Sequence, residues 1–508
     1  MTINITLDRA RELAARHRVV PVIETLFAGN ETPLSIFEKL AADKQGSFLL
    51  ESAEQGVWAR YSFIGVNNRG MILNNDRGTH WISPTGESAF PNPGQPLSED
   101  PLEALAQLQA AWTSEPMSGV PPLVNGLVGS IGWDMIRRIE NLPNSPKNDF
   151  EAPVLAMVMF RDLVILDHYT SSVLLVSNIF VTDGLELEPA YQGALERIGV
   201  LRDRLLEPSS SRLSEVDSSV SVEPTYRVPK QHFLDSVERA KHYVRIGDVF
   251  QIVLSQRFDM ECKASPLDVY RVLRSLNPSP YMYLLNFSDQ SGPFAVVGSS
   301  PEALVNVQKG KATTHPIAGS RPRGANFDAD LKLAEELVGD AKERAEHLML
   351  VDLARNDLLK VCEPASVSVT EFMQVHRYSH IMHLVSTVEG DIRADQSAVD
   401  VFKATFPAGT LSGAPKPRAL EIIDELEVSG RGLYGGVVGY FDFAGNADLA
   451  IAIRTAFIRN GIASVQAGAG LVLDSVPENE YQETVNKAGA PMRAIATANT
   501  LRLIGKAE

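Results

Sequence analysis

The sequence is poor in cysteine, in aromatic residues and in positive charge. Of 508 residues only 2 are cysteine, Cys262 and Cys362. That is too few for a disulfide framework and fits a reducing compartment. Neither stands in a Cys-x-x-Cys spacing, so no structural zinc site is expected. Lys and Arg total 47 against 63 Asp and Glu, a formal charge of −16, which argues against nucleic acid or an anionic membrane as the main partner. No stretch approaches the roughly 18 apolar residues of a membrane span. The N-terminal segment MTINITLDRARELAARHRVVPV lacks the apolar region of a signal peptide, and a cytoplasmic location is expected. Gly-Lys-Ser/Thr is missing too, which excludes a P-loop. GAGLVL, Gly468 to Leu473, has a leucine where the third glycine of a dinucleotide fingerprint belongs. It and GGVVG, Gly435 to Gly439, read instead as tight turns with close backbone approach.

What is present is ordinary for a soluble globular protein: 44% hydrophobic and 22% charged residues. The length suggests roughly two to four compact units. Residues 1–206 read as a mixed α/β region. In it, Pro101 to Trp112 has helical spacing, and Val154 to Val181 reads as buried strands turning near Asp167. Residues 207–229 form a linker or mobile loop by their serine-rich composition. Residues 230–508 form the second region, opening with an amphipathic helix from Lys230, stopped at Gly247, and a strand over Val249 to Met260.

Several motifs carry polar chemistry. THPIAGSRPRG, Thr314 to Gly324, places a Gly-Ser turn between His315 and the pair Arg321 and Arg323, which suits an anion, yet its centre is the inert Ala318. His376, His380 and His383 share helical spacing, but the residues that follow alternate like a strand, where His380 and His383 point to opposite faces. That pattern disfavours a three-histidine metal site. It leaves His383 as either an acid/base group or a satisfied core histidine. KERAEHLMLVDLARNDL reads as a buried helix whose apolar run, Leu348 to Val351, is opened by Glu346, a carboxylate that needs a partner or a metal. Glu480, Glu483 and Lys487 share one helical face, and Glu483–Lys487 by itself is an ordinary surface ion pair. Two separated carboxylates without a Cys or His cluster suit a hard cation such as Mg²⁺.

Taken in order, IGDVFQIVLSQRF, GSSPEALV, PIAGSRPRG, KERAEHLMLVDLARNDL, RYSHIMHLVSTVEG, GTLSGAPKPRALEIIDELE, YGGVVGYF, AIAIRTA and QAGAGLVLDSVPENEYQETVNKA resemble the chorismate-utilising enzymes, and among them the large subunits (component I) of anthranilate synthases. The resemblance is dense from Lys230 to Thr500 and looser before. It implies an α/β (α+β) fold of large packed antiparallel sheets with helices outside, and residues 230–508 as the chorismate-binding catalytic region. It further implies Mg²⁺ held by Glu346 and Glu483, with Glu480 a lesser contributor. Chorismate would be gripped by Arg454 and Tyr434, by Lys487, and by backbone turns at Gly319, Ser320, Gly468, Ala469 and Gly470. His383 would lie near the departing 4-hydroxyl and Glu302 would protonate it. Relatives that attack with water carry a lysine where this chain has Gln251, and relatives that attack covalently carry one where it has Ala318. Losing both leaves the attack to ammonia, already a nucleophile when neutral.

Anthranilate formation by a lyase of tryptophan biosynthesis is the expected activity. No Gly-x-Cys-x-Gly glutaminase motif occurs, so the resemblance implies a separate glutamine amidotransferase subunit (component II) in a heterotetramer. LLES (Leu49 to Ser52) and NPSPYM (Asn277 to Met282) resemble the family's tryptophan feedback site, implying contacts from Glu51, Ser52, Pro280, Tyr281 and Met282. Alone, the prolines read as a rigid turn. Two other functions stay open: an enzyme that stops at aminodeoxyisochorismate, and a non-catalytic tryptophan-sensing subunit.

Overall fold

The strand Leu155–Asp167 is almost continuously apolar because both of its faces are covered. Leu155, Met157 and Met159 enter one core, while Ala156, Val158 and Phe160 enter another, the period of two that a pleated strand imposes. It pairs antiparallel with Tyr61–Asn75, Leu127–Ile131 and Ser172–Phe180. The computed structural model describes residues 2–52, 60–117, 119–149, 151–208, 213–377 and 381–504.

Two antiparallel arms leave this hub. One runs through Ser47–Glu51, Tyr281–Asp289, Gly292–Ser300, Thr455–Arg459, Ile462–Leu471 and Gln251–Glu261. The other runs through Val437–Phe441, Ala447–Ile451, Ala303–Gln308, Lys311–Thr314 and Ile381–Asp391. Ile317–Pro322 and Ser368–Arg377 complete the second arm beside Ile381–Asp391. Side chains from both arms, among them Phe48, Phe287, Phe294, Val438 and Phe457, join hub residues such as Val128 to fill the core between them. Helices cover the outer faces: Pro33–Leu40, Leu187–Leu206, Pro266–Leu276 and Pro477–Ala498 over one, Pro101–Ala111, Ala398–Thr405 and Lys416–Leu426 over the other. This is the expected architecture.

The helices from Pro101 and Lys230 and the strand over 251–261 form as their patterns predict. The serine-rich segment is pinned where it is described: Ser214–Glu215 pairs with Arg502–Leu503, and Thr225–Tyr226 with Phe258 and Asp259. Three expectations need correction. Gly468 to Gly470 are not a turn but lie inside the strand Ile462–Leu471, and Gly319 and Ser320 inside Ile317–Pro322. The apolar run of the helix Ala341–Leu359 is only partly buried, with Leu348 46% exposed, because a helix cannot turn four successive residues to one side. Arg321 and Arg323 do not wait for an anion: Arg321 pairs with Asp340 and Glu343, and Arg323 with Asp330.

Candidate active site

The chain crosses between the two arms in short connections, and polar groups collect there. Leaving Gly292–Ser300 for Ala303–Gln308, it places Glu302 at one crossing. Returning from Ala447–Ile451 to Thr455–Arg459, it places Arg454 at another. The Ile451 N–H donates to the Glu302 carbonyl at 2.9 Å, which locks the two crossings side by side.

The Glu302 carboxyl is buried, and burial pushes it up to about 7; a hydrogen bond from Thr410 Oγ1 at 3.0 Å and the charges of Lys487 and Arg454 pull the other way. A carboxyl so placed is a proton donor near neutral pH. It borders a small, open cleft lined also by Thr314, His315, Leu353 and Thr410. Arg454 adopts φ +50°, an uncommon region for a residue with a Cβ. Burial lowers its guanidinium from the ordinary arginine value and the Glu302 charge opposes this.

His383 lies on Ile381–Asp391, opposite Ser320 on one side and His376 on the other. The neighbouring His380 falls outside the described residues. The His383 ring Nδ1 is 3.1 Å from the Gly319 carbonyl. Burial lowers its pKa first, Gly319 and Glu343 raise it, and Arg454 lowers it, so the ring is neutral at pH 7. Gly319 needs to be glycine: its φ is +78°, and a Cβ would come 3.0 Å from Glu343 Oε2. Ser320 follows a bulge in the pairing and is exposed.

The strand Ile462–Leu471 forms the floor. A Cβ on Gly468 would sit 2.7 Å from the Tyr434 hydroxyl, and one on Gly470 2.7 Å from Gln251 Nε2. Ala469 turns its methyl to the opposite core, leaving its backbone to the site. Burial holds the Tyr434 phenol above the ordinary tyrosine value. The Gln251 amide lies buried over Gly470, and its Oε1 has no hydrogen-bond partner among the described residues. Beneath the floor Arg431 donates to Glu427, Leu411 O and Val253 O, and Glu427 Oε1 accepts from the Ser255 N–H at 2.8 Å, fixing this part of the strand pair.

At the rim, Lys487 Nζ lies 3.1 Å from the Gly468 carbonyl and 2.7 Å from Glu483 Oε1, a pair that is half exposed. Glu346 is half-buried on the facing helix. Its pKa is raised first by burial, then by Glu343, with Glu483 adding to the effect and Lys342 and Lys487 opposing it. Glu480 is likewise raised by burial, against a Ser475 hydrogen bond, and by Glu483. Thus the charge of Glu483 reaches Glu346, far away in sequence, as well as Glu480 on its own helix. No group of three or more His, Cys, Asp and Glu side chains among the described residues is arranged to hold a metal. Two mutually repelling carboxylates, of which Glu346 has no hydrogen bond among the described residues, still fit Mg²⁺, which uses one or two protein carboxylates and completes its shell with water and substrate oxygens.

All the residues expected for substrate, acid and metal therefore border one region. Sequence reasoning missed Thr410, which bonds Glu302, and Glu343, whose charge reaches both Glu346 and His383. Thr410 lies inside a motif already noted, but nothing local marks its partner 108 positions away.

A second cluster lies where Ser47–Glu51 meets Tyr281–Asp289. Met282 stands opposite Glu51, and Glu51 pairs with Arg274. Glu51 Oε2 and Ser52 Oγ are buried without a hydrogen-bond partner among the described residues. Pro280 is half-buried beside them. The Tyr281 hydroxyl donates to Asp448 at 3.1 Å, so only its backbone is open to a ligand here.

Residues 46–493 match the family model described as chorismate binding enzyme. The chain belongs to the chorismate-binding enzymes. Within that family it is 50% identical over 507 residues to anthranilate synthase component 1 of Arthrobacter globiformis, covering 98% of this chain and 94% of that protein. It is 49% identical to the component 1 protein of Mycolicibacterium smegmatis, covering 97% and 93%. The crystal structure of component I from Streptococcus pneumoniae superposes with a TM-score of 0.75 at 34% identity, over 92% of this chain and 99% of that one. The menaquinone-specific isochorismate synthase of Escherichia coli, 18% identical, shares the fold with a TM-score of 0.67 over 96% and 98%. No helix among the described residues is long and apolar enough to cross a membrane.

Proposed function

We propose that this chain aminates chorismate with ammonia and completes the reaction to anthranilate, pyruvate and water. The observation that carries the reading is a site with a buried acid but no protein nucleophile or water-activating base where relatives have them: Ala318 is a methyl, and Gln251 an amide that cannot accept a proton at neutral pH. Arg454 and Tyr434 are suited to the enolpyruvyl carboxylate, since a guanidinium pairs with a carboxylate through two parallel hydrogen bonds. Lys487 and the backbone of Gly319, Ser320 and Gly468 to Gly470 would hold the ring. As ammonia forms the new C2–N bond, the ring double bonds shift and the C4–O bond breaks. Glu302 donates the proton with which that oxygen leaves as water, and neutral His383 lies beside the departing group. Loss of the C2 proton and cleavage of the C3–O bond then release pyruvate and aromatise the ring. Mg²⁺, held by Glu346 and Glu483, would supply positive charge to the ring carboxylate of a dianion entering an acidic protein.

The chain would receive ammonia from a glutamine amidotransferase subunit, with which it forms a heterotetramer, and would work in the cytoplasm. Tryptophan would bind at Glu51, Ser52, Pro280, Tyr281 and Met282. Glu51 Oε2 and Ser52 Oγ, without a hydrogen-bond partner among the described residues, support a ligand with an ammonium group there. The apparent tryptophan pocket also favours anthranilate over an enzyme that stops at aminodeoxyisochorismate. In a steady-state assay the isolated chain should make fluorescent anthranilate from chorismate, Mg²⁺ and ammonium salt, and none from glutamine. Glutamine-dependent turnover without a partner would contradict the two-subunit reading; accumulation of a non-fluorescent amino acid would favour the shorter reaction.

A further inference from the structure

Arg454 carries φ +50° without being glycine, a conformation that persists only where the surroundings hold it. Two sets of hydrogen bonds do so, and both lead back to the segment that opens the strand Tyr281–Asp289, one through Ser299 on the neighbouring strand Gly292–Ser300. The Arg454 carbonyl accepts from the Ser299 N–H at 3.3 Å. Ser299 is fully buried and stands opposite Met282. Its hydroxyl donates to the Asn277 carbonyl, accepts from Asn277 Nδ2 at 3.1 Å, and lies 2.8 Å from Ser279 Oγ. One residue further along, Tyr283 lies opposite Gly298, which in turn lies opposite Thr455. The phenol ring passes over Gly298, and its hydroxyl reaches Thr455 Oγ1 at 2.6 Å. Thr455 Oγ1 donates to the Ile453 carbonyl at 2.8 Å, spanning Arg454.

We propose that Ser299 and the Tyr283 hydroxyl are positioning residues for Arg454, and that occupation of the pocket at Glu51 and Met282 reaches the chorismate site through them. The second half rests on the tryptophan reading above; the first half does not. Asn277, Ser279, Met282 and Tyr283 all belong to or adjoin the segment a ligand at Glu51 would touch. A shift there moves the partners of Ser299 and Tyr283, and with them the backbone that aims the Arg454 guanidinium. By linkage, chorismate must weaken tryptophan by the same factor that tryptophan weakens chorismate.

The test uses the full chain with ammonium as nitrogen source and the variants Ser299→Ala and Tyr283→Phe, each of which deletes one oxygen. Each variant should raise the chorismate KM about three- to tenfold with kcat held within about twofold, the pattern of lost uniform binding. Calorimetric titration should give a tryptophan Kd within about twofold of the parent, while the factor by which tryptophan raises the chorismate KM falls at least about threefold. Kinetics like the parent's in both variants overturn the positioning role. An unchanged coupling factor with intact tryptophan binding overturns the transmission. Absence of tryptophan binding to the parent removes the feedback reading and the transmission together, and the KM measurement still decides the first half. Should Ser299→Ala melt far below the parent, Tyr283→Phe decides alone.

Discussion

In the proposed reaction Glu302 is the residue on which the chemistry turns, because a carboxyl acting as the acid must hold its proton until the C4–O bond breaks. Burial raises it to about 7, above the value of an exposed glutamate, so its protonated fraction falls as pH rises through that region. The kcat/KM for chorismate at fixed free ammonia should decline above about pH 7, and Glu302→Gln should lower kcat by about 10²- to 10⁴-fold and abolish that limb. Native stability has the same sign. The proton is bound more tightly folded than unfolded, so its contribution is complete at acid pH and lost on the alkaline side of about 7. Retention of the alkaline limb in the glutamine variant would assign the acid elsewhere. The resemblance carried by GSSPEALV points to Glu302 as the acid, but nothing in the motif itself shows its burial or its raised pKa. Its burial and its bond to Thr410 arise from contacts between residues more than a hundred positions apart. The reverse holds for Ala318 and Gln251, whose meaning is what they are not, and which are plain in the sequence.

At the scale of elements, periodicity did well where one segment decides its own structure. The helix Lys230–Arg245 and the strands on either side of Asp167 follow from spacing alone. It did poorly where a residue answers to a neighbouring element. The glycines at 468 and 470 suggested a turn, yet they are strand residues kept bare by the Tyr434 and Gln251 side chains and the Leu254 carbonyl. Arg321 and Arg323 suggested an anion site, yet Asp330, Asp340 and Glu343 fold back to take them. The first of these corrections gives a prediction. Gly468→Ala puts a methyl 2.7 Å from the Tyr434 hydroxyl and 2.9 Å from the Leu254 carbonyl, and overpacking of this kind costs about 1–3 kcal/mol. A lowered melting temperature together with a raised chorismate KM is expected. Gly489→Ala, with nothing within 4 Å of its added Cβ, should leave both near the parent values.

For the whole molecule, the site exists because two sheet arms exchange strands at Glu302 and Arg454 while helices from distant stretches bring Glu346 and Glu483 within reach of each other's charge. In the proposed reaction a protein of charge −16 takes a dianion, and a cation held there would offset both. Glu346→Gln should weaken Mg²⁺ binding measured by titration, and its ammonium-dependent turnover should fall by at least about tenfold, the scale of one lost charge-assisted contact of about 1.5–3 kcal/mol. A variant with native Mg²⁺ affinity would place the ion elsewhere. The central claim, that this pocket leaves the attack on chorismate to an incoming amine, is tested most directly by mass analysis of products formed from chorismate, Mg²⁺ and heavy-nitrogen ammonium. The account predicts anthranilate carrying the heavy nitrogen, with pyruvate in equal amount. Isochorismate or salicylate, formed by water and free of the label, would contradict it.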